Sequence, residues 1–386
     1  MALILTRSPY FVSKGNFDNG ALLSVTISNR ITDSSVTTLK TYNLNFFSQQ
    51  YIDISPLIRD YLDNLDVLVV STTVSGAINE VAQSDVLLSH IAVDGYAKYE
   101  EGFNPDLSTE LSKDSYYAGS NKTIHRHDDK PLSIPLLLPL IDGASATPDT
   151  NVTIAYYNGS SLINTVNTNF SAFTGGNDVW KTSNRVNYIS ESEFDSFEER
   201  VLADGGTFEY SKAVDKFNDA YSFFPATKVV ISVDEDVSKR VELTIVPVSE
   251  CKYDAKKLKF INKYGVKEDL WFFKKSTNSL STKTETYRAN TLNSFASGDL
   301  SKHSMKSFNT NGKESMTINS GFVPESFSEN FKQLMLSERV WLDTGAVDLP
   351  ITIKSSDLEL KTSVNEKLIN YTINIEFAFD TINNIN

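Results

Sequence analysis

Cysteine is almost missing from this chain: 386 residues contain one, Cys251. One thiol cannot close an intramolecular disulfide, so a disulfide-stapled scaffold is excluded and no oxidising compartment is implied. Cys251 reads as a small buried residue rather than a nucleophile. Positive charge is in deficit as well, with Lys and Arg numbering 36 against 49 Asp and Glu, a formal net charge of −13. A protein that coats DNA or RNA needs a basic footprint, so no direct nucleic-acid role is expected. The acidic surface reads as solubility. Long apolar runs are absent too. The most apolar stretch, Pro135 to Ile141, is far too short to span a bilayer, and no membrane role is expected. The opening MALILTRSPYF lacks a basic n-region, and its apolar run is too short for a secretory h-region. The expectation is a protein made in a reducing cytoplasm.

The motifs that carry common chemistries are also missing. The sequence holds no GxSxG, no P-loop, no HExxH and no CxxC; Gly175-Gly176 lacks the Gly-Lys-Ser/Thr that would follow in a P-loop and reads as a turn. His125-Arg126-His127-Asp128-Asp129 is the one cluster of ligand-type residues, and with four His in the chain it reads as a solvated loop rather than a metal site. Asp234-Glu235-Asp236 lacks the Gly and distal Glu of a calcium loop and reads as a polar hairpin turn. Glu191, Glu193, Asp195, Glu198 and Glu199 lie beside an apolar helix face, the pattern of a solvated surface rather than a glycosidase pair. No enzyme, no cofactor and no metal is expected. Tyr116-Tyr117, Tyr156-Tyr157 and Trp180 are aromatics that could stack on sugars, though Tyr in a β protein belongs mostly to sheet faces.

What is present favours strands. Phe and Tyr are plentiful (23 and 17), and Asn, Ser and Thr are frequent, which suits strands and turns better than helices. Residues 251–276, CKYDAKKLKFINKYGVKEDLWFFKKS, read as two strands joined at Asn262–Val266, with Gly265 free to take a left-handed turn position. Leu270, Trp271, Phe272 and Phe273 leave the second strand no polar face, so it expects cover on both sides. The lysines from Lys252 to Lys275 read as the polar edges of this hairpin.

This hairpin resembles a recurring block of virion structural proteins of tailed bacteriophages, from the tail, neck or baseplate. Two further pieces fit the resemblance: Arg7-Ser8-Pro9-Tyr10-Phe11 with the later Asp53 to Tyr61, and the run Asn370-Tyr371-Thr372-Ile373 to Phe379-Asp380. Together they cover under a third of the chain. The resemblance implies a structural role in the virion, after synthesis in the host cytoplasm. Its partners would be copies of itself, assembled as a homo-oligomeric ring, and other virion proteins. It implies no catalytic residue. A host-receptor or glycan-binding module, or a head-decorating capsid accessory protein, is the alternative.

The organisation expected is mainly β, in two or three antiparallel sandwich-like domains with a few short helices. Residues 1–105 form a β-rich domain. In it a hairpin turns at Asn19-Gly20, and a short helix is capped by Ser55 with Pro56 at its first position, facing inward through Leu57, Ile58, Tyr61, Leu62 and Leu65. Residues 106–149 lack a period and read as an extended arm or junction. Residues 150–250 form a second β-rich domain with a type I′ turn at Asn158-Gly159, a helix over Glu191–Ala203 and a strand pair whose second strand ends at Pro247 or runs on only as an edge. Residues 251–386 form a third, with a hairpin at Asn311-Gly312, a helix after Pro324 facing inward through Phe327, Phe331, Leu334 and Met335, and a long alternating strand from Ile369 to Phe379. The candidate assembly contacts are Tyr264, Trp271, Phe272, Phe273, Leu136, Leu138, Phe377 and Phe379, with the hairpin, the arm and the C-terminal strand as contact elements.

Overall fold

A computed structural model describes residues 2–13, 21–28, 36–44, 51–62, 67–105, 107–127, 133–137, 151–169, 188–190, 226–233, 239–290, 292–294, 297–298, 301–345, 347–355 and 368–382. The fold is mainly β, with three short α-helices among the described residues. It divides into two compact units: Met1–Ser249 with Phe260–Asp269, and Glu250–Lys259 with Leu270–Asn386. The tip of the 251–276 hairpin therefore groups with the first unit.

The first unit contains β1 (Ala2–Leu5), β2 (Phe11–Ser13), β3 (Ala21–Ser28), β4 (Val36–Leu44), β5 (Tyr51–Asp53), α1 (Ser55–Arg59), β6 (Val67–Ser75), β7 (Ala77–Ile78), β8 (Val81–Ala82) and β9 (Val86–Val93). It continues through α2 (Leu107–Lys113), β10 (Thr123–His127), β11 (Ser133–Pro135), β12 (Asn151–Asn158), β13 (Ser161–Asn169), β14 (Tyr188–Ser190), β15 (Lys228–Val233) and β16 (Val241–Val248). Two five-stranded sheets result, ordered β1-β9-β6-β3-β4 and β10-β16-β15-β12-β13. Each has its own core. The first is filled by Leu23, Val25, Ile54, Ile58 and Val70, the second by Ile154, Val229, Ile231, Leu243 and Ile245. Sheet order is antiparallel except at one edge of each sheet, where β1 runs parallel to β9 and β10 runs parallel to β16. A wholly antiparallel plan was expected. A parallel neighbour needs a long crossover, which residues 6–85 and 128–240 supply.

Several local expectations change. Ser55 is the first residue of α1 rather than its cap: Ile54 holds the N-cap position without a side-chain cap, and Asp53 Oδ1 accepts from the Ser55 backbone N–H (3.0 Å) and from Ser55 Oγ (2.7 Å). Ile58 and Leu62 are buried as the spacing requires, while Tyr61 is exposed. The β12–β13 loop has Gly159 and Ser160 as its central residues. Gly159 takes φ 61°, but Ser160 does not share the positive φ that a type I′ turn needs at both positions. The strand β16 runs on through Pro247 with a strand on one side only, the second of the two readings: beyond Ile245, whose N–H donates to the Thr227 carbonyl (2.9 Å), β10 alone pairs with it. The segment read as an extended arm is folded in its described parts. It contributes α2, β10 and β11, and buries Leu107, Leu111, Ile134, Leu136 and Leu137. The period was hidden because α2 has seven residues and β10 buries His125 and Arg126, polar types that do not mark a core. The expected turns at Asn19-Gly20 and Asp234-Glu235-Asp236, the helix over Glu191–Ala203, and Trp180, Leu65 and Leu138 all lie outside the described residues.

The strands that follow are β17 (Lys256–Ile261), β18 (Lys267–Phe272), β19 (Thr277–Arg288), β20 (Leu292–Ser294), β21 (Ser297–Gly298) and β22 (Met305–Pro324), then α3 (Ser328–Leu336), β23 (Val340–Asp343), β24 (Asp348–Ile353) and β25 (Leu368–Phe377). A seven-stranded sheet has the order β18-β17-β23-β24-β25-β22-β19. In β25, Ile369, Tyr371, Ile373 and Ile375 are buried while Asn370, Thr372 and Asn374 are exposed, the alternation of a half-buried antiparallel strand. It is an interior strand, hydrogen-bonded to β24 and β22. The helix α3 presents Phe331 to this face, edge-on to Phe272 (5.9 Å between centroids) and 4.2 Å from the Tyr371 ring. Of its expected inward residues, Phe327, Phe331 and Leu334 are buried and Met335 is only half-buried.

The Asn311-Gly312 dipeptide makes no turn. It lies inside the 20-residue strand β22. Nearby Asn309 holds φ 48° where the β19–β22 register skips one residue, so the irregularity appears as a bulge in β22 rather than a chain reversal.

Candidate functional site

Two regions stand out chemically, and they are opposite in kind. The first is the tip of the β17–β18 hairpin. Gly265 takes φ 73°, as the turn requires, and an added Cβ there would lie 2.7 Å from Val93 Cβ. The turn is buried, with Asn262 and Val266 fully enclosed. Asn262 acts as the turn's internal brace. Its Oδ1 accepts from the backbone N–H groups of Tyr264 (3.0 Å) and Val266 (3.2 Å). Its Nδ2 donates to the Ala118 carbonyl (2.6 Å) and to Glu268 Oε2 (2.9 Å). Glu268 also accepts from the Ser120 backbone N–H (3.1 Å) and Ser120 Oγ (2.5 Å). Burial raises the Glu268 carboxyl above its usual range, and these donors only partly offset it. Lys263 makes an ion pair with Glu101, and its carbonyl accepts from the Tyr96 N–H (2.9 Å). Gly95 is required beside it, because a Cβ would sit 2.4 Å from that carbonyl oxygen. The partners of Asn262, Lys263 and Glu268 named here all lie on the same chain, so the cluster works as a packing device.

The lysines of the same hairpin also have partners. Lys257 Nζ lies 2.7 Å from Asp343 and 5.5 Å from the centroid of Trp271; Lys259 Nζ lies 3.3 Å from Asp343 and 2.9 Å from Asp348. Burial raises the Asp343 carboxyl, but the Lys257 hydrogen bond, the Gly345 N–H and the two ammonium groups outweigh it and hold the carboxyl below its ordinary range. Lys257 and Lys259 are therefore spent within the chain rather than offered as a basic patch.

The second region is the β19–β22 ribbon. All twelve residues of β19 are exposed, and so are residues 305–310 of β22. The outermost β22–β25 pairing is Ser315 with Glu376, level with Ser279 in β19. Beyond that point the ribbon, Leu280–Arg288 against Met305–Glu314, continues with no third strand among the described residues, though the chain past β25 lies along β22 at its base: the Thr381 N–H donates to the Gly312 carbonyl (2.8 Å), Asn311 Nδ2 donates to Asp380 Oδ2 (3.2 Å) and the Ile382 N–H donates to Asn311 Oδ1 (3.1 Å). A bare two-stranded ribbon is marginal in water. It displays Leu280 (57% exposed), Met305, Phe308 and Tyr287, the last two in edge-on contact at 5.6 Å. Its outer edge, β19, has no strand beside it among the described residues.

The residues singled out in the sequence fall elsewhere. Trp271, Phe272, Phe273 and Leu136 are buried within the chain, and Tyr264 is half-buried against the core of Leu3, Leu5, Ile91 and Val93. Phe377 is half-buried and Phe379 is 48% exposed, their rings 5.6 Å apart. Tyr117 and Tyr156 are core residues, unavailable for stacking on a sugar. Cys251 is exposed, not buried, because it sits in the bend before β17 rather than on a strand. His125 is buried, which lowers its pKa to about 4, and no cluster of His, Cys, Asp and Glu among the described residues could hold a metal ion. Sequence reasoning missed the ribbon: TNSLSTKTETYR has neither apolar alternation nor a turn signal, and its one readable mark is an unusual run of β-compatible Thr and Ser with charges.

No protein-family model matches the chain, and no curated protein or solved structure matches it either.

Proposed function

We propose that this chain is a structural subunit that works by protein–protein assembly, placed by the resemblance of its 251–276 hairpin in the tail, neck or baseplate of a tailed-phage particle. The observation that carries the reading is the ribbon. A strand of twelve exposed residues whose outer part has a single neighbouring strand is poorly stabilised alone, and a partner's sheet would complete it. The polar clusters described above find partners within the chain, which suits a scaffold that carries a contact element. Immunogold electron microscopy of phage particles with an antibody to this chain tests the placement. Label at the tail, neck or baseplate supports it. Label on the head moves the chain to a capsid accessory role. Particles without label contradict it.

A further inference from the structure

We infer that the free edge of β19 pairs antiparallel with β19 of a second copy, about a two-fold axis through Thr284. This inference rests on the assembly reading and names its partner.

The backbone makes the pairing available. The bulge in this ribbon belongs to β22, at Asn309, so β19 keeps an unbroken two-residue period along its outer edge. The two-stranded part of the ribbon covers Leu280–Arg288, nine residues or roughly 30 Å, with Thr284 at its centre.

The side chains then select the register. When a strand meets itself antiparallel, facing residues lie on the same side of the sheet, so the axis must pass through a residue. An axis at Lys283 sets Lys283 against itself, and one at Glu285 sets Glu285 against itself; both are repulsive. An axis at Thr282 or Thr286 gives neither charge an opposite partner. An axis at Thr284 sets Lys283 of each copy opposite Glu285 of the other, forming two ion pairs. It also aligns Thr282 with Thr286, a β-branched pair suited to a sheet. The register chosen by charge is also the one centred on Leu280–Arg288, the part of β19 that lies beyond the last β22–β25 pair. A lysine in the middle of an exposed edge normally blocks association. Here Glu285, two residues along on the same face, converts that block into a key.

Sedimentation velocity on the full chain, with charge variants of these two exposed positions, tests the pairing. The native chain is expected to dimerise or assemble further. Lys283→Glu and Glu285→Lys each place like charges opposite one another twice, and each is expected to weaken association at least tenfold. The double variant restores opposite charges and is expected to recover it. A cysteine pair gives an independent readout. Thr284→Cys in a Cys251→Ser background brings the two thiols within the distance a disulfide spans, and oxidation should give a covalent dimer. Thr282→Cys in the same background leaves the thiols about 14 Å apart along the strands and should not. Assembly unaffected by either charge reversal, with no covalent dimer at Thr284, would overturn this pairing while leaving assembly through other surfaces in place. A native chain that stays monomeric at high concentration would overturn the pairing too, and particle labelling would then decide the broader reading separately.

Discussion

The tip of the β17–β18 hairpin and the outer half of the β19–β22 ribbon are both two-stranded and both rich in polar residues, yet they meet opposite fates. At the tip, Asn262, Lys263 and Glu268 are buried, and each has partners on its own chain. On the ribbon, Lys283, Glu285 and the threonines around them stay exposed. The difference lies in shape rather than composition. The tip closes through a tight turn with Gly265 and meets a surface that makes room for it at Gly95, so its polar groups find donors and acceptors at fixed positions. The ribbon extends past the last pairing of β25, and beyond Ser279 no strand lies beside its outer edge among the described residues. One device holds the chain together, and the other is left for a partner.

Substitutions should separate the two by size of effect. The largest loss is expected where α3 packs on Phe272. Phe272 is fully buried and packs edge-on against Phe331, so Phe272→Ala should lower unfolding free energy by about 3–5 kcal/mol, measured by chemical denaturation. At the tip, Gly265→Ala combines a positive φ with a Cβ clash against Val93 and should cost about 2–3 kcal/mol. Glu268→Ala removes the acceptor for Asn262 and Ser120 and should cost about 1–3 kcal/mol. Asp343→Ala, which strands Lys257 and Lys259 in a half-buried setting, should cost about 1–2 kcal/mol. The smallest effect belongs to the ribbon. Thr284→Ser is expected to change monomer stability by less than about 0.5 kcal/mol, as a surface substitution away from any packed feature.

The pH dependence of the buried Glu268 and the half-buried Asp343 carboxylates has opposite sign. Glu268 is raised in the folded state, so the native chain holds its proton more tightly than the unfolded chain. Its contribution is full below the ordinary carboxylate range and is lost as pH rises through the raised value. Asp343 is lowered, so its contribution is present above the ordinary range and is lost as pH falls through the depressed value. Glu268→Gln should therefore flatten the decline of stability with rising pH, and Asp343→Asn should flatten the decline on acidification. Thermal melts across the acid-to-neutral range check both signs. Melts in which Glu268→Gln leaves the alkaline-side slope unchanged would contradict the account of the tip.

Legibility followed the same division. Apolar alternation made β25 readable, and consecutive large apolar residues made the buried end of β18 readable, because burial drives both patterns. Gly265 marked its turn through backbone freedom. Asn311-Gly312 misled because β22 absorbs its irregularity as a bulge at Asn309 and then continues under pairing to β19 and β25. Residues 106–149 misled in the other direction. In the described part, β10 buries His125 and Arg126, and sequence gives no sign that polar types will be core. The candidate contact residues were chosen for apolar bulk, which is also what the chain's own core selects, so Trp271, Phe272, Phe273 and Leu136 lie inside. The ribbon gave no apolar signal, because a strand completed by backbone pairing needs little apolar surface.

Hydrogen exchange, followed by mass spectrometry on the isolated chain and on its assembled form, tests the central claim most directly. Amides of residues 260–269 should be protected in both states. Those of residues 280–288 should exchange quickly in the isolated chain and become protected on assembly. Residues 280–288 that are protected in the monomer, or that remain unprotected in the assembly, would contradict the claim that this ribbon is the edge a partner completes.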